Sequence, residues 1–457
     1  MQRRFEMDEP SEHVSQAELI GALSHALDLT EGQPPGHCLR CGWIGMQLAE
    51  RLQLDADEAH DLFYTLLLKD LGCSSNAARI AALYSTDDLD FKRQFKRVDG
   101  GMPSVARFML GQAAPGAPLL QRVGTFIRAV REAETFVHEV MEARCERGSQ
   151  IARSLGFSEA VARGIYCLDE HHDGNGMPDG LSGSEIPLFS RIALLSQVAE
   201  VFHASDGSEA AREEVRRRRG TWFDPELVDA FLDLTADSDV WVGLSGPDLP
   251  ERVFSLSPAQ VALSVDDDTL DRIARGFAQV VDAKSPYTAG HSERVTEYAD
   301  RVAEHLGLDE AQRRWLRRGS LLHDIGKLGV SNRILDKPDR PTEQEWAAIK
   351  AHPVHTEQIL SRITPMQVLA RMAGAHHERL DGRGYPKGLS GEQISLPTRI
   401  LTVADVFDAL TADRPYRPAL STEQALTIMA GELEVALDRD CFTALREVLY
   451  ADGPVAE

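Results

Sequence analysis

No stretch of this chain runs to about 18 uninterrupted apolar residues, the length a spanning helix requires, so no membrane segment is expected. The start, MQRRFEMDEPSEH, also lacks the apolar run of a signal peptide, and a cytoplasmic protein is the expectation. Cationic side chains are scarce: 49 Lys and Arg stand against 72 Asp and Glu, a formal charge of -23. That balance argues against a broad nucleic-acid surface, because a polyanion needs clustered Lys and Arg to displace its counterions. DNA is not an expected partner, whereas a small phosphorylated ligand needs only a local basic pocket. The group Arg313, Arg314, Arg317 and Arg318 reads as a solvated helix face. Six cysteines without a secretory signal fit reduced thiols, and no disulfide is assigned. Cys38 and Cys41 form a CxxC with no partner at zinc-finger spacing, which argues against a structural zinc.

What is present begins with length. At 457 residues the chain is long enough for two or three domains, and 43% hydrophobic with 26% charged residues is the composition of a globular protein. A repeat organises it. His37 and Asp70 are separated by 33 positions, as are His291 and Asp324. Asp173 to Gly183, DGNGMPDGLSG, reads against Asp381 to Gly391, DGRGYPKGLSG. Between these marks Ala, Leu, Glu and Arg recur at helical spacing, as in Val295, Tyr298, Ala299, Val302, Ala303 and Leu306. The expected fold is all-α: two tandem helical domains over residues 14–235 and 266–457, joined by an irregular Gly, Ser, Pro and Asp-rich linker over 236–265. Residues 381–397, and 173–187 in the first copy, must be irregular loops.

The second copy carries the chemistry. His291, His323, Asp324, His352, His376, His377 and Asp405 form a set of metal-capable side chains that a helical bundle can aim at one centre. Imidazoles with two carboxylates suit a pair of Fe or Mn ions better than magnesium, which prefers oxygen ligands. Two such ions, held about 3.5 to 4 Å apart, make water a nucleophile near neutral pH. Asp324 is the natural bridging carboxylate. Lys327, three residues later, can reach a phosphate held by the metals. His305 and His355 read as ordinary surface or core histidines.

On these motifs the second copy resembles an HD-GYP domain, the branch of the HD phosphohydrolases that hydrolyses cyclic di-GMP. The segments HDIGKLGV, KPDRPTEQEW, AHP, HHERLDGRGYPKGLSGEQISLPTRI and VADVFDALTADRPYRPAL stand in family order. The resemblance implies that the seven residues above are the ligands and that Lys327, Arg414 and Arg417 face the nucleotide phosphates. It also implies that the Gly384-Tyr385-Pro386 loop shapes the site, with Tyr385 against the substrate, and engages protein partners. Some members have a Glu four residues before the first His and hold three metals. Here that position is Tyr287, so two divalent ions are expected.

The first copy is similar to the same domain, with its ligands lost. Lys69, Arg144, Leu168, Asp169 and Gln197 stand where the second copy has His323, His352, His376, His377 and Asp405. His37 and Asp70 alone cannot hold two ions, and His171 and His172 read as exposed loop residues. Packing, homodimerisation or signal input is the expected role. The leading reading is a phosphodiesterase acting on cyclic di-GMP, with Asp324 and Lys327 as catalytic residues. Hydrolysis of another cyclic dinucleotide or nucleotide, and a nucleotide-responsive scaffold without turnover, remain as alternatives.

Overall fold

The computed structural model describes residues 16–98, 102–113, 119–236, 239–257 and 266–451. The N-terminal start, residue 14 and residues 237–238 and 258–265 of the expected linker lie outside these. Among the described residues the structure is helical, with extended pairing limited to isolated bridges. Two compact units divide at residue 266.

In the second unit, Gly290 takes a left-handed conformation (φ 68°) and starts the helix His291–His305. That helix lays Val295, Ala299, Val302 and Ala303, all fully buried, against the helices Glu310–Leu322 and Leu396–Thr411. Burial of such side chains contributes about 1.5 to 3 kcal/mol each for the larger ones. Asp309 opens Glu310–Leu322 with a capping box closed by Gln312. The Arg313 group on that helix is not a simply solvated face. Asp300 receives Arg313 at 2.7 Å and Arg317 at 2.7 Å, and Asp271 receives Arg314 and Arg318 at 2.7 and 2.5 Å. Helical spacing reveals which side these arginines share, but not the acidic helices packed opposite.

The first unit repeats the plan. Gly36 (φ 87°) starts the helix His37–Arg51, which packs on Ala56–Leu68 and Leu188–Asp206. The described part of the expected linker departs from an irregular course. Asp239–Gly243 and Leu249–Ser255 are short helices in this unit, with Val240 and Val253 buried. Trp43 Nε1 donates to the Val240 carbonyl at 3.0 Å. The Gly, Ser, Pro and Asp content there reflects the turns between helices, while a few apolar residues suffice to seal the core. The six cysteines are free and buried.

Candidate metal centre

Local devices bring the second unit's motifs together. The helix Glu310–Leu322 ends at His323, and the chain tightens into the 3-10 turn Ile325–Gly329 with Asp324 at its head. Gly326 permits this: a Cβ there would lie 2.0 Å from the His352 carbonyl oxygen. The close approach lets Thr356 donate to the His323 carbonyl at 2.8 Å and accept from the Gly326 amide at 3.1 Å. His352 starts His352–Leu360, and His376 follows Gln367–Ala373. Asp405 lies on the buried face of Leu396–Thr411.

All seven sequence-derived ligand candidates converge. Asp324 Oδ2 lies 3.3 Å from His291 Nε2 and 3.4 Å from His323 Nε2. Asp324 Oδ1 lies 3.3 Å from His352 Nε2 and 3.7 Å from His376 Nε2. Asp405 stands 3.5 Å from His291 and 3.8 Å from His323, with its other oxygen 4.0 Å from His377. One carboxylate thus faces two separate histidine pairs. His377 completes a group with His352 and His376.

The imidazoles are oriented from behind. His323, His352 and His376 each place Nδ1 at 2.6 Å from the carbonyl three residues earlier, of Ser320, Ile349 and Ala373. His291 Nδ1 lies 2.6 Å from Asp408. Fixing the tautomer this way turns Nε2 toward the centre. There, His291 Nε2, His323 Nε2 and Asp324 Oδ1 are buried without a hydrogen-bond partner. Buried nitrogen and oxygen atoms normally are paired, so this convergence fits divalent cations.

The electrostatics agree with that donor set. Burial opposes the charge on Asp324, but the Lys327 ammonium and the surrounding His323, His291 and His352 imidazoles hold its carboxyl well below the usual range. Burial and the neighbouring His352 push His377 down to about 3, and burial with His377 pushes His376 well below its ordinary value. Neutral imidazoles beside ionised carboxylates are what a cation requires. His291 is the exception: burial opposes its charge, yet the adjoining Asp324 carboxylate and its hydrogen bond to Asp408 raise it to about 9.

The remaining candidates separate. Lys327 pairs with the Asp324 carboxylate through the tight turn rather than along a helix face. The Tyr385 ring packs against His377 in a tilted arrangement, centroids 4.8 Å apart. Gly384 makes its loop feasible, since a Cβ would lie 2.4 Å from the Arg379 amide nitrogen. Arg414 and Arg417 share an isolated bridge in the turn after Leu396–Thr411. Arg417 spends its guanidinium on the carbonyls of Ala409, Leu410 and Pro418, at 2.8 to 2.9 Å. Arg414 has no such side-chain partner among the described residues. Tyr287 is half-buried.

Three residues escaped the sequence reading. Asp408 and Glu378 act through others: Glu378 accepts from the amides of Lys387 and Leu389 at 2.7 and 2.9 Å, tying down the loop behind Tyr385. The helix period from Asp405 could have suggested Asp408, and the repeat could have suggested Glu378, whose counterpart Glu170 ties Asp179 and Leu181 identically. Trp346, 44% exposed, stands edge-on to Tyr385 at 6.1 Å and carried no sequence signal of its own.

In the first unit cations stand where ligands were lost. Lys69 pairs with Asp70 and lies 3.2 Å from His37 Nε2, while Lys96 and Arg144 each approach Asp70 to 3.7 Å. His37 pairs with Glu200, which also receives Arg40 at 2.5 Å, so the group His37, Cys41 and Glu200 is satisfied internally. His171 and His172 are half-buried, correcting the expected exposure, and His171 is stacked on Trp222 at 4.1 Å; turn composition hides this partner 51 positions away.

A family model described as HD domain matches residues 111–227 and 275–441. The chain is 52% identical over 433 residues to the 3'3'-cGAMP-specific phosphodiesterase 3 of Vibrio cholerae, covering 95% of this chain and 94% of that protein. It is 41% identical over 180 residues to a cyclic di-GMP phosphodiesterase of Thermotoga maritima, covering 39% and 49%. A crystal structure of a cyclic GMP-AMP-specific phosphodiesterase from V. cholerae superposes with a TM-score of 0.66 at 47% identity, covering 96% of this chain and 98% of that one.

Proposed function

Because this chain belongs to the HD-domain family, in its HD-GYP phosphodiesterase branch, we propose that its second unit is a metal-dependent phosphodiesterase that opens 3'3'-cGAMP. The observation that carries the chemistry is Asp324, whose two oxygens face separate histidine pairs. His291, His323, Asp324 and Asp405 would hold one divalent ion, and His352, His376, His377 and Asp324 a second. Bound ions supply Lewis acidity and lower the pKa of water. The substrate reading rests on likeness across almost the whole chain, first unit included.

The protein's own residues do the rest. The Lys327 ammonium, beside Asp324, offsets negative charge that builds on the phosphate. Arg414 offers a planar fork to the second phosphate of a dinucleotide. Tyr385 and exposed Trp346 form a ledge on which a base can stack, a contact worth about 1 to 3 kcal/mol. His376 and His377, kept neutral, remain donors of lone pairs rather than competing cations.

Cyclic di-GMP is the second reading, favoured by the likeness over 180 residues to the T. maritima enzyme. A panel on the full chain loaded with ferrous or manganous ion, against 3'3'-cGAMP, cyclic di-GMP, cyclic di-AMP and a nucleoside monophosphate, decides between them. The highest kcat/KM is expected with 3'3'-cGAMP. Preference for cyclic di-GMP establishes the second reading, and tight binding without turnover leaves a scaffold.

A further inference from the structure

The first unit holds a cavity of about 140 Å3 beside its altered cluster. Arg144, Asp169 and Gln197 line it, the repeat positions of His352, His377 and Asp405. Its other side has no counterpart in the second unit. From Asp70 to Arg144 the chain takes 74 positions, against 28 from Asp324 to His352. The added length includes the helices Ala77–Tyr84, Asp88–Phe95 and Met102–Gln112. Tyr84, Phe91 and Met109 from these helices pack into one apolar cluster, with Tyr84 and Phe91 rings 4.8 Å apart. Tyr84, Phe91, Phe95 and Met109 form the apolar wall of the cavity.

The polar end is cationic. Lys92, Lys96 and Arg144 line the cavity against two carboxylates, Glu31 and Asp169, while Lys69 and Asp70 offset each other next to it. Lys96 is held by Glu31 at 2.8 Å and Arg144 by Asp169 at 2.8 Å. Two lining atoms are buried with no hydrogen-bond partner, Arg144 Nη2 and Asn76 Oδ1, and Asn76 is 7% exposed. Asp70 stands 3.7 Å from Arg144 Nη2, beyond hydrogen-bond distance, so an acceptor inside the cavity would complete this buried nitrogen. An apolar chamber of about 150 Å3 accommodates a single benzene-sized ring. An excess of one positive charge matches one carboxylate better than a phosphate dianion.

We propose that this cavity is a binding site for a small aromatic monocarboxylate, its ring against Tyr84, Phe91 and Phe95 and its carboxylate on Arg144 and Lys96. The site has exchanged metal ligands for fixed cations and gained an aromatic roof, so its ligand is an organic anion rather than a metal-bound phosphate. It is independent of hydrolysis in the second unit.

Sodium benzoate is the probe, added to the full chain and followed by calorimetry and saturation-transfer NMR, neither of which depends on turnover. Saturable binding is expected, with benzyl alcohol, the uncharged analogue, at least about tenfold weaker. Arg144→Lys, which keeps the charge but removes the fork, should weaken benzoate about tenfold, and Val140→Phe, which fills the chamber, should abolish it. Circular dichroism establishes that each variant is folded; if Arg144→Lys is not, Val140→Phe decides. Absence of saturable binding at millimolar benzoate overturns the proposal. So does equal affinity for inorganic phosphate, or binding that persists unchanged in Val140→Phe.

Discussion

His291 donates from Nδ1 to Asp408 at 2.6 Å while its Nε2 faces Asp324 at 3.3 Å, so one imidazole links the buried centre to a carboxylate outside it. Arg294 holds the same carboxylate at 2.5 Å. The first unit keeps this arrangement in His37, Glu200 and Arg40 although its ligands are gone. The brace therefore serves helix packing as well as chemistry. Asp408→Asn should lower metal affinity by about 10 to 100-fold, since partners behind a ligand tune its basicity and orientation. Competition with a chelating dye measures this, and retention equal to wild type would remove Asp408 from the metal centre.

Asp324→Asn and Asp70→Asn occupy equivalent positions and should part company. The first should cost metal occupancy and essentially all hydrolysis, because it removes the carboxylate shared by two histidine pairs. The second should leave both intact but destabilise the first unit by about 3 to 5 kcal/mol, since Lys69, Lys96 and Arg144 lose their common counter-charge. Elemental analysis, turnover and urea unfolding read the three effects. Loss of turnover in folded Asp70→Asn would make the first unit catalytic.

The two arginines after Leu396–Thr411 should differ in kind. Arg417→Ala breaks hydrogen bonds to three carbonyls and should cost about 1.5 to 3 kcal/mol of stability. Arg414→Ala should leave the melting temperature within error and raise KM about tenfold, with metal content unchanged. An Arg417→Ala protein that melts like wild type but binds substrate poorly would reverse the assignment.

Glu31 should make the first unit acid-sensitive. Burial opposes its charge, but Lys96, joined by Lys92 and Arg144, outweighs burial and nearby Asp70 and holds its carboxyl at about 2. A folded pKa below the ordinary 4.5 stabilises the fold fully above pH 4.5, and the contribution fades as pH falls toward 2. The difference in unfolding free energy between wild type and Glu31→Gln, read from urea curves, should therefore be large at about pH 6, on the order of 3 kcal/mol, and shrink by about pH 3. A difference independent of pH would show that Glu31 acts through packing alone.

Much of this protein was decided locally. The 33-position spacing from His37 to Asp70 and from His291 to Asp324, and the paired Asp-Gly-x-Gly loops, mark two related helical copies because helical period and turn chemistry are short-range properties. The seven ligand candidates were legible for the same reason: imidazoles and carboxylates in that number have few uses besides a metal centre. Tertiary structure decided what depends on neighbours distant in the chain. Gly326 reads as an ordinary glycine until the His352 helix passes within a Cβ's reach of it. Arg417 resembles Arg414 until its guanidinium closes on the end of the preceding helix. Arg144 looks like a simple loss of histidine, and only the folded first unit brings it to Asp70, where its charge joins that of the adjacent Lys69. Residue types set the chemistry available, and packing across long sequence separations determined which groups meet.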